Sequence, residues 1–170
     1  GGGLVRKNVL CYGDFPEIAN DWSEKSLQMP SGAIIDGKLD EVLPVDLRDP
    51  EQVQEFVDHS WYKYPEGKKG LHPWDGITDQ DYGLPKGSVG TNTKFSWIGS
   101  EGKYSWIKSP RWKGHKMEVG PLARLIVSIA KDVKHFKEPA LELLKELNLP
   151  VDAIYSTLGR HAARALECRW

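Results

Sequence analysis

Residues 103–124, KYSWIKSPRWKGHKMEVGPLAR, predict a change from strand to helix around which the rest of the chain is organised. Tyr104 and Trp106 alternate with smaller residues, as expected of a strand. The carboxylate of Glu118 then precedes Gly120-Pro121, where an apolar helix begins, because proline favours the first position of a helix. Between them lies a cluster of cationic side chains, made up of Lys108, Arg111, Lys113, His115 and Lys116.

Fixed charges beside bulky aromatic rings indicate a site or a tight interface, and the cluster with Trp112 could bind an acidic partner or nucleic acid. The alternative is a solvated connection between a strand and a helix. In that case Glu118 would pair with Lys116 or Arg111, or lie at the start of the following helix, where a carboxylate is favoured.

On either side of this stretch the sequence predicts short antiparallel hairpins. Asp36-Gly37 is the two-residue turn of a hairpin over residues 32–39, a strong local signal. The near-repeats FSWI at 95–98 and YSWI at 104–107 predict a second hairpin closed by GSEG.

Helical spacing predicts about four helices. Asp49-Pro50 and Gln52 form a capping pattern that begins a helix at about 50–61. Three more follow, the first after Pro121, the second over about 138–147 and the third from Pro150 to the end of the chain. Leu122, Leu125, Ile126 and Ile129 mark the buried face of the first, and Leu141, Leu144 and Leu147 mark that of the second. Ile154, Leu158, Ala162 and Ala165 mark that of the third, in which Gly159 and the alanines leave space for a close helix neighbour.

The predicted fold is therefore α+β, with small antiparallel hairpins and a helical part. Residues 1–170 are expected to form a single fragment, β-rich and loop-rich over 1–116 and helical over 117–170, with the additional helix at about 50–61. The chain lacks an initiating Met and its last predicted helix runs to Trp170, so we expect a piece of a longer protein.

Composition excludes several functions. The net charge of −1, from 23 basic and 24 acidic residues, argues against a nucleic-acid binder. No run of about 18 apolar residues occurs, so no transmembrane helix is expected, and the first ten residues lack the apolar stretch expected of a signal peptide. The two cysteines, Cys11 and Cys168, form no CxxC pair, and the five histidines form no metal-binding motif. Of these, His72 and His115 remain candidates because of their neighbours.

Two classes of function remain on these grounds. One is a segment of a larger enzyme. The other is a non-enzymatic, Trp-rich module that binds protein or carbohydrate, since seven Trp residues are many for this length and Trp is concentrated in cores and interfaces.

Six blocks of sequence carry a resemblance that favours the enzyme. They are KNVLCYGDFP (7–16), MPSGAIIDGKL (29–39), EFVDHSWY (55–62), GLHPWDGIT (70–78), residues 103–124 and LNLPVDAIYSTLGRHAARALE (147–167). Together they resemble the large subunit of the nickel–iron hydrogenases, and most closely the uptake type that is periplasmic or membrane-associated. In that family the fragment would be part of a larger, mostly helical subunit.

The resemblance implies oxidation of H2 to protons and electrons at a Ni-Fe(CN)2CO centre held by two CxxC pairs. Neither pair is in this chain, so the fragment alone is expected to bind no cofactor and to be inactive. The partners it implies are an iron–sulfur small subunit and the remainder of the large subunit. It also implies a magnesium ion with a proton-relay network, for which Asp75, Lys108 and Glu118 are the candidates here.

Overall fold

A computed structural model of the chain describes residues 7–56, 62–63, 70–75, 79–80 and 108–169. The chain divides into two compact units. Unit 1 comprises residues 1–47 and 115–170, and unit 2 comprises residues 48–114. Three α-helices and small antiparallel sheets make up the described part of the chain, which confirms the predicted α+β class.

Unit 1 is built on a two-stranded antiparallel sheet of β1 (Val9–Pro16) and β2 (Leu27–Ile34). The register places Val9 opposite Ile34 and Pro16 opposite Leu27. Helix α1 (Pro121–Ala130) packs against both strands. Seven of its ten residues are buried, because PLARLIVSIA has a single charged side chain. The core of the unit therefore lies where α1 meets the sheet.

Helix α1 begins where the sequence predicts. Gly120 has a φ of 97°, which favours glycine, and Pro121 occupies the first turn without an N–H to satisfy. The four residues predicted to face the core, Leu122, Leu125, Ile126 and Ile129, are all buried.

Two further helices complete unit 1. Helix α2 (Lys134–Glu146) starts about four residues earlier than predicted and buries Phe136, Ala140 and Leu144, whereas Leu147 is 57% exposed. A 3-10 helix (Val151–Tyr155) precedes α3 (Thr157–Arg169). None of the helices in the described ranges is long and apolar enough to cross a membrane.

The prediction of one continuous helix from Pro150 to the end of the chain is wrong. Ser156 is extended, with a ψ of 170°, and its side-chain oxygen accepts a hydrogen bond from the Gly159 amide at 3.0 Å, so a new helix begins there. The break changes the face that α3 buries. Ala163 is buried, while Leu158 is 79% exposed and Ala165 is exposed.

Unit 2 contains strand β3 (Val53–Phe56), which pairs antiparallel with β6 (Ser109–Trp112). Strands β4 (Tyr62–Lys63) and β5 (Asp79–Gln80) pair with each other, and a 3-10 helix spans Pro73–Asp75. Strand β7 (His115–Lys116) follows β6 in the chain and opens the second segment of unit 1.

The helix predicted at about 50–61 is also wrong, because residues 53–56 form β3. Its capping signal is present: the Asp49 carboxylate accepts hydrogen bonds from the Glu51 amide at 2.9 Å and from the Gln52 side chain at 3.1 Å. These bonds close a turn, after which pairing with β6 takes the backbone into a strand. Residues 57–61 lie outside the described ranges.

The predicted hairpins have mixed outcomes. Asp36 and Gly37 both have positive φ, 53° and 72°, as the predicted turn requires. The strand before that turn is β2, and it pairs with β1 along its length. After the turn the chain also returns to β2, but beyond the end of the predicted hairpin, where Leu43 and Ala33 exchange backbone hydrogen bonds of 2.8 and 2.9 Å. The aromatic hairpin at 95–107 lies outside the described residues. The described chain has three α-helices where about four were predicted.

Candidate functional site

Lys108 and Glu55 form a largely buried ion pair in unit 2. The two residues lie at the paired ends of the strands, since Phe56 is opposite Ser109 in the β3–β6 register. Lys108 Nζ donates to Glu55 Oε2 at 2.8 Å, and the exposed fractions of the two side chains are 10% and 27%. A charge at this depth is stable only with a partner, so each side chain depends on the other.

Glu55 also connects this pair to the segment that carries Asp75. Its amide donates to the Leu71 carbonyl at 2.8 Å, and the Leu71 amide donates back to the Glu55 carbonyl at 3.2 Å. The chain then enters the 3-10 helix, where the Asp75 amide donates to the His72 carbonyl at 2.9 Å. The Asp75 side chain is exposed. Within unit 2, Lys108 thus contacts the side chain of Glu55, and the segment that carries Asp75 is hydrogen-bonded to the backbone of Glu55.

Glu118 is held by an arginine in unit 1. Arg160 Nε donates to Oε1 at 2.6 Å and Nη2 donates to Oε2 at 2.5 Å, so the contact is bidentate. The carboxylate raises the pKa of Arg160 above its usual value. The backbone of Glu118 is fixed as well, because its amide donates to the Asn8 carbonyl and its carbonyl accepts from the Leu10 amide, both at 2.9 Å.

Arg160 is thus the partner of Glu118, whereas Lys116 or Arg111 was predicted. A second bidentate pair in unit 1 joins Arg124 on α1 to Glu167 on α3, with distances of 2.6 and 2.9 Å, and Glu167 raises the pKa of Arg124. These two pairs connect α3 to the rest of the unit at two points along its length.

The sequence reasoning missed Glu55, Arg160 and Glu167 as functional partners. All three lie in the quoted blocks, but those blocks contain other charged residues such as Asp58, Asp152 and Arg164, so no local signal distinguishes the three. Two histidines were also candidates. His115 is exposed on β7, and the Nδ1 atom of His72 accepts a hydrogen bond from the Trp74 amide at 3.2 Å. Tyr104 and Trp106 lie outside the described residues.

The two cysteines are free and differ in environment. Cys11 is buried on β1, and burial raises the pKa of its thiol to about 11. Cys168 is exposed near the end of α3. Within the described ranges, no group of three or more His, Cys, Asp or Glu side chains could hold a metal ion.

Unit 1 also contains a buried hydroxyl, that of Tyr155. The residue is 1% exposed, and its hydroxyl has no hydrogen-bond partner in the part of the chain that the structure describes. Burial, with smaller contributions from Asp152 and Glu118, raises the pKa of this phenol to about 12. It is therefore neutral at any physiological pH.

Comparison with known proteins identifies relatives along the whole chain. The family model of nickel-dependent hydrogenases matches residues 1–170. The chain is 61% identical to the uptake hydrogenase large subunit of Rhizobium leguminosarum bv. viciae over 170 residues, which are 100% of this chain and 28% of that protein. It is 52% identical to the hydrogenase-1 large chain of Escherichia coli K12 over the same share of each protein.

Solved structures of hydrogenases are also similar to the chain. A NiFeSe hydrogenase from Dm. baculatum matches 97% of this chain and 29% of its own, with a TM-score of 0.58 and 31% sequence identity. The chain spans less than a third of the length of the curated relatives it matches. The family model covers every residue, and the two longer relatives are more than half identical to the chain over its whole length. The chain therefore belongs to the nickel-dependent hydrogenases.

Proposed function

We propose that this chain is a segment of an uptake hydrogenase large subunit whose whole polypeptide oxidises H2 to protons and electrons. The observation that carries the proposal is the identity of more than half of the residues, along the entire chain, with a large subunit named for that activity. This whole-chain likeness favours an enzyme segment over the Trp-rich binding module. The segment alone would not turn over H2.

A nickel centre is what makes H2 chemistry available to this family, so we tested the described residues as its ligands. They do not fit. The thiol of Cys11 is buried in the apolar core, Cys168 is exposed on another element, and no cluster of ligands accompanies either of them in the described ranges. The resemblance implies that two CxxC pairs hold the nickel and iron, and the full sequence contains only Cys11 and Cys168, so we propose that these ligands lie elsewhere in the polypeptide.

The contribution of this segment to catalysis would be a set of charged side chains that hold or pass a proton. The best supported member is Lys108, because its ammonium is 10% exposed and donates to Glu55 Oε2 at 2.8 Å. A proton on Nζ can move along this hydrogen bond without leaving a buried charge unpaired, since the result is an amine beside a carboxylic acid. Asp75 is proposed as a site of proton exchange with solvent, because its side chain is exposed and its segment is hydrogen-bonded to the backbone of Glu55 through Leu71.

Glu118 is less suited to carry a proton. Both of its carboxylate oxygens accept hydrogen bonds from Arg160, so protonation of either oxygen would break a charge-assisted bond. We propose that Glu118 mainly fixes α3 to the strand-like segment at residue 118, and that the proton path runs through Lys108 and Glu55.

The relatives' names also support a partner and a location. A large subunit implies a smaller one, and we propose an iron–sulfur subunit that accepts the electrons. An uptake enzyme of this type would work in the periplasm or at the membrane. Fractionation of cells that express the full-length protein, with H2-dependent dye reduction assayed in each fraction, tests both the activity and its location. Absence of that activity in a nickel-replete, assembled complex would refute the proposed reaction.

The proton path is tested in the full-length enzyme with Lys108→Met, Glu55→Gln and the double variant. Lys108→Met removes the ammonium that donates to Glu55, so a loss of activity could come from misfolding alone. The double variant removes both charges together and should restore the nickel content and stability. We expect its H2 oxidation to stay about a hundredfold below wild type, the lower end of what a positioned acid or base contributes.

Lys113→Met is the matched control, because Lys113 is a cation of the same unit with an exposed side chain. It should oxidise H2 at the wild-type rate. H/D exchange at the metal centre, measured alongside, separates cleavage of H2 from proton transfer to solvent. A double variant with wild-type rates of both reactions would remove Lys108 and Glu55 from the path.

A further inference from the structure

The side chain of Arg111 folds back along its own strand, β6, and contacts both members of one register pair. Its Nη1 donates to Ser109 Oγ at 2.6 Å, to the Ser109 carbonyl at 3.3 Å and to the Pro110 carbonyl at 3.1 Å. The guanidinium carbon lies 4.9 Å from the centroid of the Phe56 ring, within the range of a cation–π contact. Because Ser109 is opposite Phe56 in the β3–β6 register, Arg111 joins the two strands at this pair.

The register pair that Arg111 joins is next to the proposed proton path. Ser109 follows Lys108 in the chain, and Phe56 follows Glu55. Lys108 lies one residue beyond the last pair of the described β3–β6 register, which is Phe56 with Ser109. The place from which Lys108 Nζ reaches Glu55 Oε2, at 2.8 Å, is therefore set by how firmly that last pair is held.

The Phe56 ring is also packed against the segment that carries Asp75. A Cβ atom added at Gly70 would lie 2.2 Å from Cε2 of this ring, so the ring lies directly on the glycine backbone. The next residue, Leu71, exchanges backbone hydrogen bonds of 2.8 and 3.2 Å with Glu55. The ring therefore connects Arg111 with the segment that pairs with Glu55.

The position and chemistry of Arg111 indicate that it does not carry a proton itself. Successive side chains of a strand point to opposite faces, so Glu55 is on the other face of β3 from Phe56 and its arginine contact. An arginine side chain also keeps its proton in proteins. Its planar guanidinium can stack on an aromatic ring and donate hydrogen bonds in fixed directions, a combination that lysine does not offer. These properties are those of a side chain that fixes the positions of others.

We propose that Arg111 is a positioning residue, which holds Phe56 and Ser109 together and so sets the distance between Lys108 Nζ and Glu55 Oε2. The inference deepens the proposed function and rests on it, since a proton is proposed to move along that bond. A misplacement of about 1 Å can slow a reaction about a hundredfold. Loss of one contact loosens the pair without removing it, so we expect about a tenfold decrease in H2 oxidation for Arg111→Met.

The test uses full-length enzyme with Arg111→Met alone and in the Lys108→Met/Glu55→Gln background, with rates expressed per nickel. Because Arg111 acts through the pair, the substitution should cause no further loss in that background. Arg111→Lys keeps the charge without the planar fork and should be as slow as Arg111→Met. Lys113→Met is the control and should keep the wild-type rate. A wild-type rate in either Arg111 variant would overturn the proposal, as would a further loss of similar size in the background variant.

Competitive acetylation by acetic anhydride, read by mass spectrometry, measures the position of Lys108 without H2 oxidation. We expect Arg111→Met to speed acetylation of Lys108 relative to Lys113 by about fivefold, the factor that a contact of cation–π strength represents. Lys7, a 29% exposed lysine of unit 1, reports general unfolding and should not change. An unchanged rate at Lys108, or an equal rise at Lys7, would overturn the proposal.

The two readouts separate this inference from the proposed proton path. Wild-type H2 oxidation by the Lys108→Met/Glu55→Gln variant would count against the path. Faster acetylation of Lys108 in Arg111→Met would still show that Arg111 positions Lys108 against Glu55.

Discussion

Replacing Glu118 by Gln tests whether this carboxylate is a structural anchor for α3. In the structure, Glu118 and Arg160 have side chains that are 26% and 22% exposed and that share two charge-assisted hydrogen bonds of 2.6 and 2.5 Å. The substitution removes the negative charge and one of the two acceptor sites. Arg160 then remains mostly buried without a charged partner, which is the costly outcome for an ion pair.

The magnitude follows from burial and geometry. Hydrogen bonds to charged groups contribute about 1.5–3 kcal/mol, and exposed ion pairs contribute about 0–1 kcal/mol. For a bidentate pair that is about three-quarters buried, we expect a coupling free energy of about 2 kcal/mol. This corresponds to an increase of about thirtyfold in the opening constant of α3.

Hydrogen exchange of backbone amides in the full-length protein is the suitable assay, because it reports local opening without requiring two-state unfolding of a large protein. Peptides from α3 are compared in wild type, Glu118→Gln, Arg160→Gln and the double variant. The coupling free energy is obtained from this double-mutant cycle. As a matched control, Asp132→Asn breaks the ion pair with Lys137, whose side chains are 68% and 35% exposed, and should change exchange by less than about fivefold.

A coupling below about 0.5 kcal/mol would refute the structural reasoning, since that is the range of an exposed pair. So would unchanged exchange in α3 together with slower H2 oxidation in Glu118→Gln, because that combination is expected of a proton carrier and not of an anchor.

Three other predictions concern unit 1. Burial raises the pKa of the Cys11 thiol from 9.0 to about 11, so as pH rises the thiol of the unfolded chain releases its proton before that of the folded protein. The free energy of unfolding should therefore fall by about 1.4 kcal/mol for each pH unit between pH 9 and 11. Cys11→Ala should remove that part of the pH dependence of stability, and an unchanged slope would contradict the shift. Maleimide should label Cys168 much faster than Cys11 in the native full-length protein at pH 8, which peptide mass spectrometry measures, and similar rates would contradict the burial of Cys11. Gly159→Ala should destabilise α3 by about 1–3 kcal/mol through the clash with the Ile154 carbonyl, whereas Ala165→Leu on the exposed side should be nearly neutral, with hydrogen exchange as the readout.

The parts of the fold that the sequence predicts correctly depend on neighbouring residues. Helix α1 is the clearest example, since Gly120-Pro121 starts it and four apolar residues at helical spacing bury one face. At Asp49 the local signals are equally good, yet they lead to a strand. The deciding interaction is the pairing of Val53 with Trp112, far along the chain, and a local pattern does not contain it.

The candidate site shows the same limit. Lys108 and Glu118 could be selected from the sequence because they lie in the charged stretch at 103–124 and the resemblance implies a proton-relay network there. Their partners could not, because Glu55 is 53 residues from Lys108 and Arg160 is 42 residues from Glu118. The nearer choice for Glu118, Lys116, was wrong since the segment at residue 118 bonds to residues 8 and 10 and its side chain meets α3. Ion-pair partners are set by the tertiary structure.

The restart of the helix at Ser156 has a consequence for how this family can change in length. Each residue added to a continuous α-helix rotates everything after it by about 100°. Because Ser156 begins α3 anew, a residue gained or lost before it, around Pro150, would be absorbed at the break. Arg160 and Glu167 would keep their directions. The same change within α3 would turn both away from their partners. Insertions and deletions should therefore be tolerated on one side of Ser156 and excluded on the other.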